Sequence, residues 1–239
     1  HHGVIDNRFV PFGDEATLAG AFAEAGYQTY AVGKLHVTPQ RNRIGFHDVL
    51  LDEEGRGHLG AGQDDYELFL GDHGHPGERY AGGMSNNEYV YRPWHLDEAL
   101  HVTNWATTAM ARTIKRRDPT RPAFWYLSYS HPQPPLEPLS AYLDLYRDAP
   151  VADPEYGAWV TKRPPDEREA RLIREIRRAF YALCTHIDHQ LRVVIGTLRE
   201  EQELDNTVIM FTSDHGDMLG EHGLWAKRLF YEPSTCIPM

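Results

Sequence analysis

The chain has 239 residues, of which 41% are hydrophobic and 25% are charged, and its formal net charge is −11 with histidine neutral. This composition is typical of a globular protein with one large domain or two small ones, and no apolar run is long enough to cross a bilayer. The negative charge repels nucleic acid and anionic membranes, so neither is expected as a partner. Any anion must therefore be bound by local lysines and histidines.

The first part of the chain predicts a helix and then a strand. Residues 16–26 have helical apolar spacing, and Gly26 is a natural helix end. The stretch "YQTYAV" predicts a short strand that runs into Lys34 and His36. Residues 52–93 are rich in Gly, Asp, His, Asn and Tyr without clean periodicity, which is typical of irregular functional surface.

The middle of the chain predicts two helices and a second strand. A helix is expected at 103–117, and "AFWYLSYS" at 123–130 predicts a buried strand that ends at His131. Residues 166–204 carry one continuous apolar stripe at spacings of three or four, which predicts a long amphipathic helix. Three polar residues on it point in different directions and are interpreted as solvated or capping residues: His186, Asp188 and His189.

Near the end, "TVIMFT" at 207–212 predicts another buried strand. It runs directly into Asp214, His215 and Gly216, and Lys227 follows shortly after. A carboxylate and an imidazole on a tight turn are suitable metal ligands, and glycine lets the backbone approach closely. The alternative is an Asx-type turn with a solvated histidine.

Helices that alternate with apolar strands predict an α/β fold in which helices flank a mostly parallel central sheet. In such sheets, ligands bind beyond the carboxyl ends of the strands. Three predicted strand ends carry polar groups: Lys34 with His36, His131, and Asp214 with His215. Each could be an ordinary surface or loop residue, but their shared position favours an anion-handling, metal-dependent hydrolase.

Several stretches together resemble the sulfatases of the alkaline phosphatase superfamily. "TSDHGDMLGEHGLWAKRLFYE" resembles the family's metal-and-lysine signature, and "GYQTYAVGKLH" with "IGFHDVL" resembles its second signature segment. "WYLSYSHPQPPLEP" is similar to the histidine-bearing strand end, "HHGVIDN" to the stretch after the nucleophile motif, and "CIPM" to a later strand entrance. The resemblance spans the chain in the family's order and implies an alkaline-phosphatase-like fold.

The resemblance implies a role for each candidate. Asp214 and His215 would ligate one divalent cation, with Ca²⁺ first and Mn²⁺ or Zn²⁺ as alternatives. Lys34 and Lys227 would bind the ester's non-bridging oxygens and neutralise charge in the transition state. His36 would assist the nucleophile or the collapse of its covalent adduct. His131 would donate a proton to the leaving-group oxygen.

Parts of the family pattern are missing from this sequence. No cysteine or serine lies in a Cys/Ser-x-Pro/Ala-x-Arg segment, from which the formylglycine nucleophile is made, and the early aspartate pair of the metal site is absent. Residues 1–239 are therefore interpreted as one partial catalytic α/β domain, incomplete at both ends and inactive alone. A bacterial-type cytoplasmic or periplasmic location is expected.

The predicted function is metal-dependent hydrolysis of sulfate esters, arylsulfatase-like, on a small-molecule or saccharide sulfate. Two alternatives stay open. One is a phosphonate monoester or phosphodiester hydrolase of the same superfamily, and the other is a non-catalytic relative that binds anions. A homo-oligomer is also left open.

Overall fold

The computed structural model describes residues 15–55, 62–80, 83–227 and 229–238. The stretch "HHGVIDN" therefore lies outside the described residues. The helices and strands in these ranges are α1 (Leu18–Glu24), β1 (Gln28–Gly33), β2 (Asp48–Leu51), α2 (Asp65–Asp72), α3 (Val102–Lys115), β3 (Ala123–Ser128), α4 (Ser140–Leu145), α5 (Glu167–Glu200) and α6 (Glu232–Thr235). Short 3₁₀ turns lie at 78–80, 98–100, 204–206 and 221–223.

The three described strands form one parallel sheet in the order β2-β1-β3. Gly33, the last residue of β1, is level with Leu51 of β2 and with Ser128 of β3. All three carboxyl ends therefore meet at the same edge, and the loops that follow them start side by side.

Helices cover both faces of this sheet. Side chains alternate along a strand, so Ala31 and Val32 of β1 point to opposite faces. Ala31 packs with Ala19 of α1 and Leu51 of β2, whereas Val32 lies in a larger cluster with residues of α2 and α3, such as Met110. The predicted α/β fold with a parallel sheet flanked by helices is confirmed.

The long helix predicted at 166–204 is present as α5. Asp166 begins it with a capping box, in which its side chain accepts from the Glu169 amide and the Glu169 side chain accepts from the Asp166 amide. Its 34 residues span about 51 Å, and α5 packs against α3 and α4. None of the described helices is both long enough and apolar enough to cross a membrane.

The interpretation of His186 as a solvated or capping residue was wrong. Its side chain is fully buried between α5 and α3, where Nε2 lies 2.6 Å from Asn104 Oδ1. The apolar spacing of α5 could not predict this burial, because the polar partner of His186 is Asn104 on α3, and the spacing within one helix does not show which side chains its neighbour presents. Asp188 on the same helix is exposed, as expected.

The prediction of a buried strand at 207–212 was also wrong. The segment has no strand assignment, and its apolar side chains face solvent, with Val208 97% and Met210 70% exposed. None of the three described strands pairs with it. Burial of a strand depends on neighbours on both sides, and a β-branched run does not specify where those neighbours are.

Candidate active site

Lys34 lies at the carboxyl end of β1, held against the neighbouring strand. Gly33 has a φ of +104°, and a Cβ placed on it would come within 1.8 Å of the Ser128 carbonyl oxygen. The same oxygen accepts a 3.0 Å hydrogen bond from the Lys34 amide. Only glycine allows this close approach, which fixes where the lysine side chain begins.

The ammonium group of Lys34 has two described partners. Nζ lies 3.1 Å from Glu54 Oε2 and donates a 2.7 Å hydrogen bond to Gln133 Oε1. Glu54 follows β2 and Gln133 follows β3, so the lysine joins the loops after all three strands. The predicted position at a strand end is confirmed, whereas its two partners were not predicted.

Three consecutive buried acids follow β2, and we call them the acidic triplet (Asp52–Glu54). The Asp52 amide donates to the Gly33 carbonyl at 3.1 Å, which extends the pairing of β2 with β1. Glu53 Oε1 accepts from the amides of Leu35 and His36 at 2.9 and 2.8 Å. Burial raises the pKa of Glu53, and these two hydrogen bonds oppose that rise.

The two hydrogen bonds from the Leu35 and His36 amides to Glu53 hold the backbone around His36, which has a φ of +56°. A left-handed conformation is uncommon for a residue other than glycine, so the surrounding contacts must maintain it. His36 is thereby kept next to Lys34 on the loop after β1. Its assignment as a catalytic residue stays a prediction.

Arg79 was not singled out from the sequence, yet it is buried beside the acidic triplet. It forms an ion pair with Asp52, and its guanidinium lies over the ring of Tyr66, 4.9 Å from the centroid. Burial alone would lower the pKa of Arg79, but the interactions with Asp52, Tyr80, Asp64 and Tyr66 together outweigh burial, so the pKa is raised and the group stays charged. No spacing pattern in the irregular stretch 52–93 marks this pair.

His131 follows β3 and is buried beside the same acids. It borders a cavity of about 20 Å³, room for about one water molecule, which Glu54, Arg79 and Glu137 also line. Burial lowers the pKa of His131 to about 3, with further repulsion from Arg79. The imidazole is therefore neutral near pH 7 without substrate, and a bound anion would have to raise its pKa before it could act as an acid.

Two more buried histidines lie behind His131. Its ring centroid is 5.1 Å from that of His101, which is 4.7 Å from that of His186. Thr103 contacts both of the first two rings: its amide donates to His101 Nδ1 at 3.2 Å, and its hydroxyl lies 3.4 Å from His131 Nδ1. Burial lowers the pKa of His186 to about 3 as well, and that of His101 well below its ordinary value.

Lys227 reaches the site from the C-terminal part of the chain. Its pKa is lowered first by burial and then by repulsion from Lys34, while Glu54 and Asp214 pull in the other direction. Two ammonium groups near enough to repel each other form a place suited to an anion. Glu54 interacts electrostatically with both Lys227 and the His131 ring. The convergence of Lys34, Lys227 and His131 on one anion site stays a prediction.

Asp214 and His215 lie next to each other on a turn after the exposed segment, not at the end of a strand as predicted. His215 Nε2 is 3.4 Å from Asp214 Oδ2, and the Asp214 side chain is 80% exposed. His215 Nδ1 lies 2.8 Å from the Gly216 carbonyl and is the protonated nitrogen in a neutral ring. A metal-binding histidine commonly has this backbone contact, which directs its other nitrogen to the ion.

This donor set fits a divalent cation, because a carboxylate oxygen faces an unprotonated imidazole nitrogen. It supplies two ligands. Across residues 15–55, 62–80, 83–227 and 229–238, no group of three or more His, Cys, Asp or Glu side chains forms a metal cluster. Asp214 and His215 are therefore candidates for part of a ligand set.

The turn is anchored on its C-terminal side. The Tyr89 hydroxyl donates to Asp217 Oδ2, and the Tyr89 ring packs on Trp225 with centroids 4.9 Å apart. The Gly216 amide donates to the Ser234 carbonyl at 2.8 Å. The segment is thus held from Gly216 onward.

The fold and these side chains define an α/β domain with Lys34 and Lys227 at the carboxyl-end edge of its sheet and two candidate metal ligands, Asp214 and His215, on a nearby turn. Residues 1–239 match the family model described as Sulfatase, and the chain belongs to the sulfatase family.

An arylsulfatase from Clostridium perfringens (strain 13 / Type A) is 35% identical, over 94% of this chain and 51% of the relative. A choline-sulfatase from Rhizobium meliloti (strain 1021) is 29% identical, over 93% of this chain and 46% of the relative. The chain thus spans about half the length of the curated relatives it matches.

The solved phosphonate monoester hydrolase from Silicibacter pomeroyi shares the fold with a TM-score of 0.74 at 21% identity, over 99% of this chain and 54% of that one. At this identity the likeness shows the fold alone. It is the alkaline-phosphatase-like fold that the sequence predicted.

Proposed function

We propose that this chain carries the anion-binding half of the active site of a metal-dependent sulfuric ester hydrolase of the arylsulfatase type. The observation that carries the proposal is the ion pair of Lys34 with the buried Glu54 carboxylate, to which Lys227 and His131, from distant parts of the sequence, are coupled electrostatically. Family membership and the identity to an arylsulfatase support the same reaction class.

The two lysines bind the non-bridging oxygens of the ester. Sulfate monoesters carry their charge on these oxygens, and fixed ammonium groups stabilise the charge that shifts during cleavage of the ester bond. Lys34 can be placed reproducibly because its backbone is hydrogen-bonded to β3 and its Nζ to Gln133. Lys227 completes the site from the other side.

His131 faces the leaving group and delivers a proton to its oxygen. Its pKa is held at about 3 without substrate, chiefly by burial. An anionic ester next to the ring raises this pKa, so the proton is taken up with the substrate and is available when the ester bond breaks. His36 assists on the nucleophile side.

Asp214 and His215 hold one divalent cation, with Ca²⁺ first and Mn²⁺ or Zn²⁺ as alternatives. A bound divalent cation polarises an ester oxygen. Further ligands and a formylglycine-type nucleophile are proposed to come from residues outside this sequence, because no Cys or Ser in it stands in the required Cys/Ser-x-Pro/Ala-x-Arg pattern.

The test uses protein expressed from the complete reading frame. After chelation and dialysis, turnover of nitrophenyl sulfate and of a matched phenylphosphonate ester is measured with no metal and with Ca²⁺, Mn²⁺ or Zn²⁺. We expect turnover that requires added metal, with higher kcat/KM for the sulfate. A preference for the phosphonate would replace the proposal with its superfamily alternative. Sulfate binding without turnover of either ester would replace it with an anion-binding role.

A further inference from the structure

We propose that Glu54 is a positioning residue of this site: its carboxylate holds Lys34 in place before substrate arrives, and then competes with the substrate anion for that lysine. This inference rests on the proposed function. A carboxylate among the lysines of an anion site needs a reason, because it repels the ligand that they attract.

The backbone of Glu54 is held in an uncommon conformation. Its φ is +58°, in the left-handed region that residues other than glycine rarely occupy. The Tyr80 hydroxyl donates to its carbonyl at 2.8 Å, and Asn86 Nδ2 donates to the same oxygen at 3.4 Å. Such conformations persist only where the surroundings impose them, and they concentrate at functional sites.

The side chain of Glu54 is aimed at the lysine. Glu54 is 4% exposed, and its Oε2 lies 3.1 Å from Lys34 Nζ. Burying a carboxylate is costly unless a charge compensates it, and here the compensating charge is the residue assigned to the substrate. The left-handed turn and the ion pair together direct Lys34 towards the loop after β3.

Glu53, the neighbouring acid, has a different role, so the role of Glu54 can be tested separately. Glu53 accepts from the amides of Leu35 and His36, so it holds the backbone of the loop rather than the lysine head group. Gln133 is the second partner of Lys34 Nζ and is itself held by Asn87, to whose Oδ1 it donates at 2.9 Å. Without Glu54, Lys34 would keep one of its two partners among the described residues.

The consequence is a split between binding and turnover. Glu54→Gln keeps the shape but removes the charge, so Lys34 becomes more available to an anion and less precisely directed. We expect inorganic sulfate to bind at least ~3-fold more tightly, because a nearby negative charge is gone. We expect kcat for the preferred ester to fall ~10- to 100-fold, because catalysis depends on the exact placement of charge.

The experiment measures sulfate affinity by calorimetry and kcat and KM by assay, with protein from the complete reading frame. Glu200→Gln is the matched control. It removes an exposed carboxylate that pairs with Lys115 Nζ at 3.0 Å, far from the site. It should change neither value. Thermal melting shows whether Glu54→Gln is folded; if it is not, Glu54→Asp, which keeps the charge but shortens its reach, should lower kcat without tighter sulfate binding.

Weaker or unchanged sulfate binding by Glu54→Gln would overturn the inference, as would an unchanged kcat. For Glu54→Asp, tighter sulfate binding or an unchanged kcat has the same meaning. Failure of the proposed function looks different, because the wild-type protein itself would then turn over neither ester or would prefer the phosphonate. The sulfate affinities of wild type and Glu54→Gln would still decide whether the carboxylate competes for Lys34.

Discussion

Lys34 follows a strand that is hydrogen-bonded on both sides, whereas Asp214 follows a segment whose apolar side chains lie largely in solvent. The loop after β1 is fastened by the acidic triplet, by Ser128 and by Gln133. The turn at Asp214 is fastened only from Gly216 onward within the described residues. The proposed anion-binding half of the site is therefore pre-formed within this chain, whereas the proposed metal-binding residues are held on one side only within the described residues.

The largest expected effect concerns turnover and tests whether Lys227, on the C-terminal segment that also carries Asp214, serves the same reaction as Lys34. Lys34→Ala and Lys227→Ala should each lower kcat/KM of the full-length protein by ~10²–10³-fold, because each removes one group that stabilises transition-state charge. Lys115→Ala, at an exposed position on α3, is the control and should change it little. Near-normal turnover in one lysine variant would exclude that lysine from the chemistry.

The next effect is on stability and tests the contrast in burial directly. Leu51→Ala, at a fully buried position in β2, should cost about 2–5 kcal/mol in the free energy of unfolding of this chain. Val208→Ala should stay within about 0.5 kcal/mol, because that side chain is 97% exposed. Urea unfolding of both variants measures the difference. Equal losses would mean that residues 207–212 are packed in solution.

A third expectation concerns the buried histidines behind the pre-formed half. The pKa of His186 is lowered to about 3 by burial, so the unfolded chain binds more protons than the folded one between about pH 6.5 and pH 3. The stability that the neutral His186 ring contributes is fully present above that pH window and is lost as the pH falls through it. When the pH is lowered from about 7.5 to about 5, the free energy of unfolding of His186→Gln should therefore fall by ~2 kcal/mol less than that of the wild type.

Glu137 supplies an internal check of opposite sign. Burial raises its pKa to about 7, so the folded chain binds more protons than the unfolded one between about pH 4.5 and pH 7, and stability rises as the pH falls through that window. Glu137→Gln should therefore be more acid-sensitive than wild type. Urea unfolding of His186→Gln and Glu137→Gln at the two pH values measures how the pH dependence of each differs from that of the wild type. Differences of the same sign would contradict this assignment.

The smallest expected effect is at the start of α5, the helix that leads towards the exposed segment. Asp166→Ala removes the capping box and should cost about 1 kcal/mol. Asp188→Ala, at an exposed position in the same helix, should stay within about 0.5 kcal/mol. Urea midpoints compare the two, and equal values would show that the cap is not needed once α5 is packed.

The sequence predicted well what depends on short-range periodicity. β1, β3, α3 and α5 appear where apolar spacing placed them, and the polar residues after β1 and β3 lie at one sheet edge. The four-residue strand β2 was missed, since so short a run carries little signal. The strand expected at 207–212 was not found, because its burial depends on neighbours that a local pattern does not specify.

The partners of the candidate residues were harder to predict than the residues themselves. Lys34 was identified, but Glu54 and Gln133 were not, although "LDEEG" is a run of acids beside a glycine. Acidic runs are usually solvated. Here the approach of Arg79 and Lys34 in space, together with the amides of Leu35 and His36, makes burial of these carboxylates tolerable. That approach is a tertiary property, without a signature in spacing.

Gly33 has no reactive atom, yet its identity ties the spacing of two strands to the position of a lysine. Because the Ser128 carbonyl occupies the volume where a Cβ would be, any other residue must push β1 and β3 apart just before Lys34. In a saturation library selected for turnover, Gly33 should therefore tolerate substitution as poorly as the lysine beside it. A residue that takes no part in the reaction would then be among the positions of the chain that tolerate substitution least.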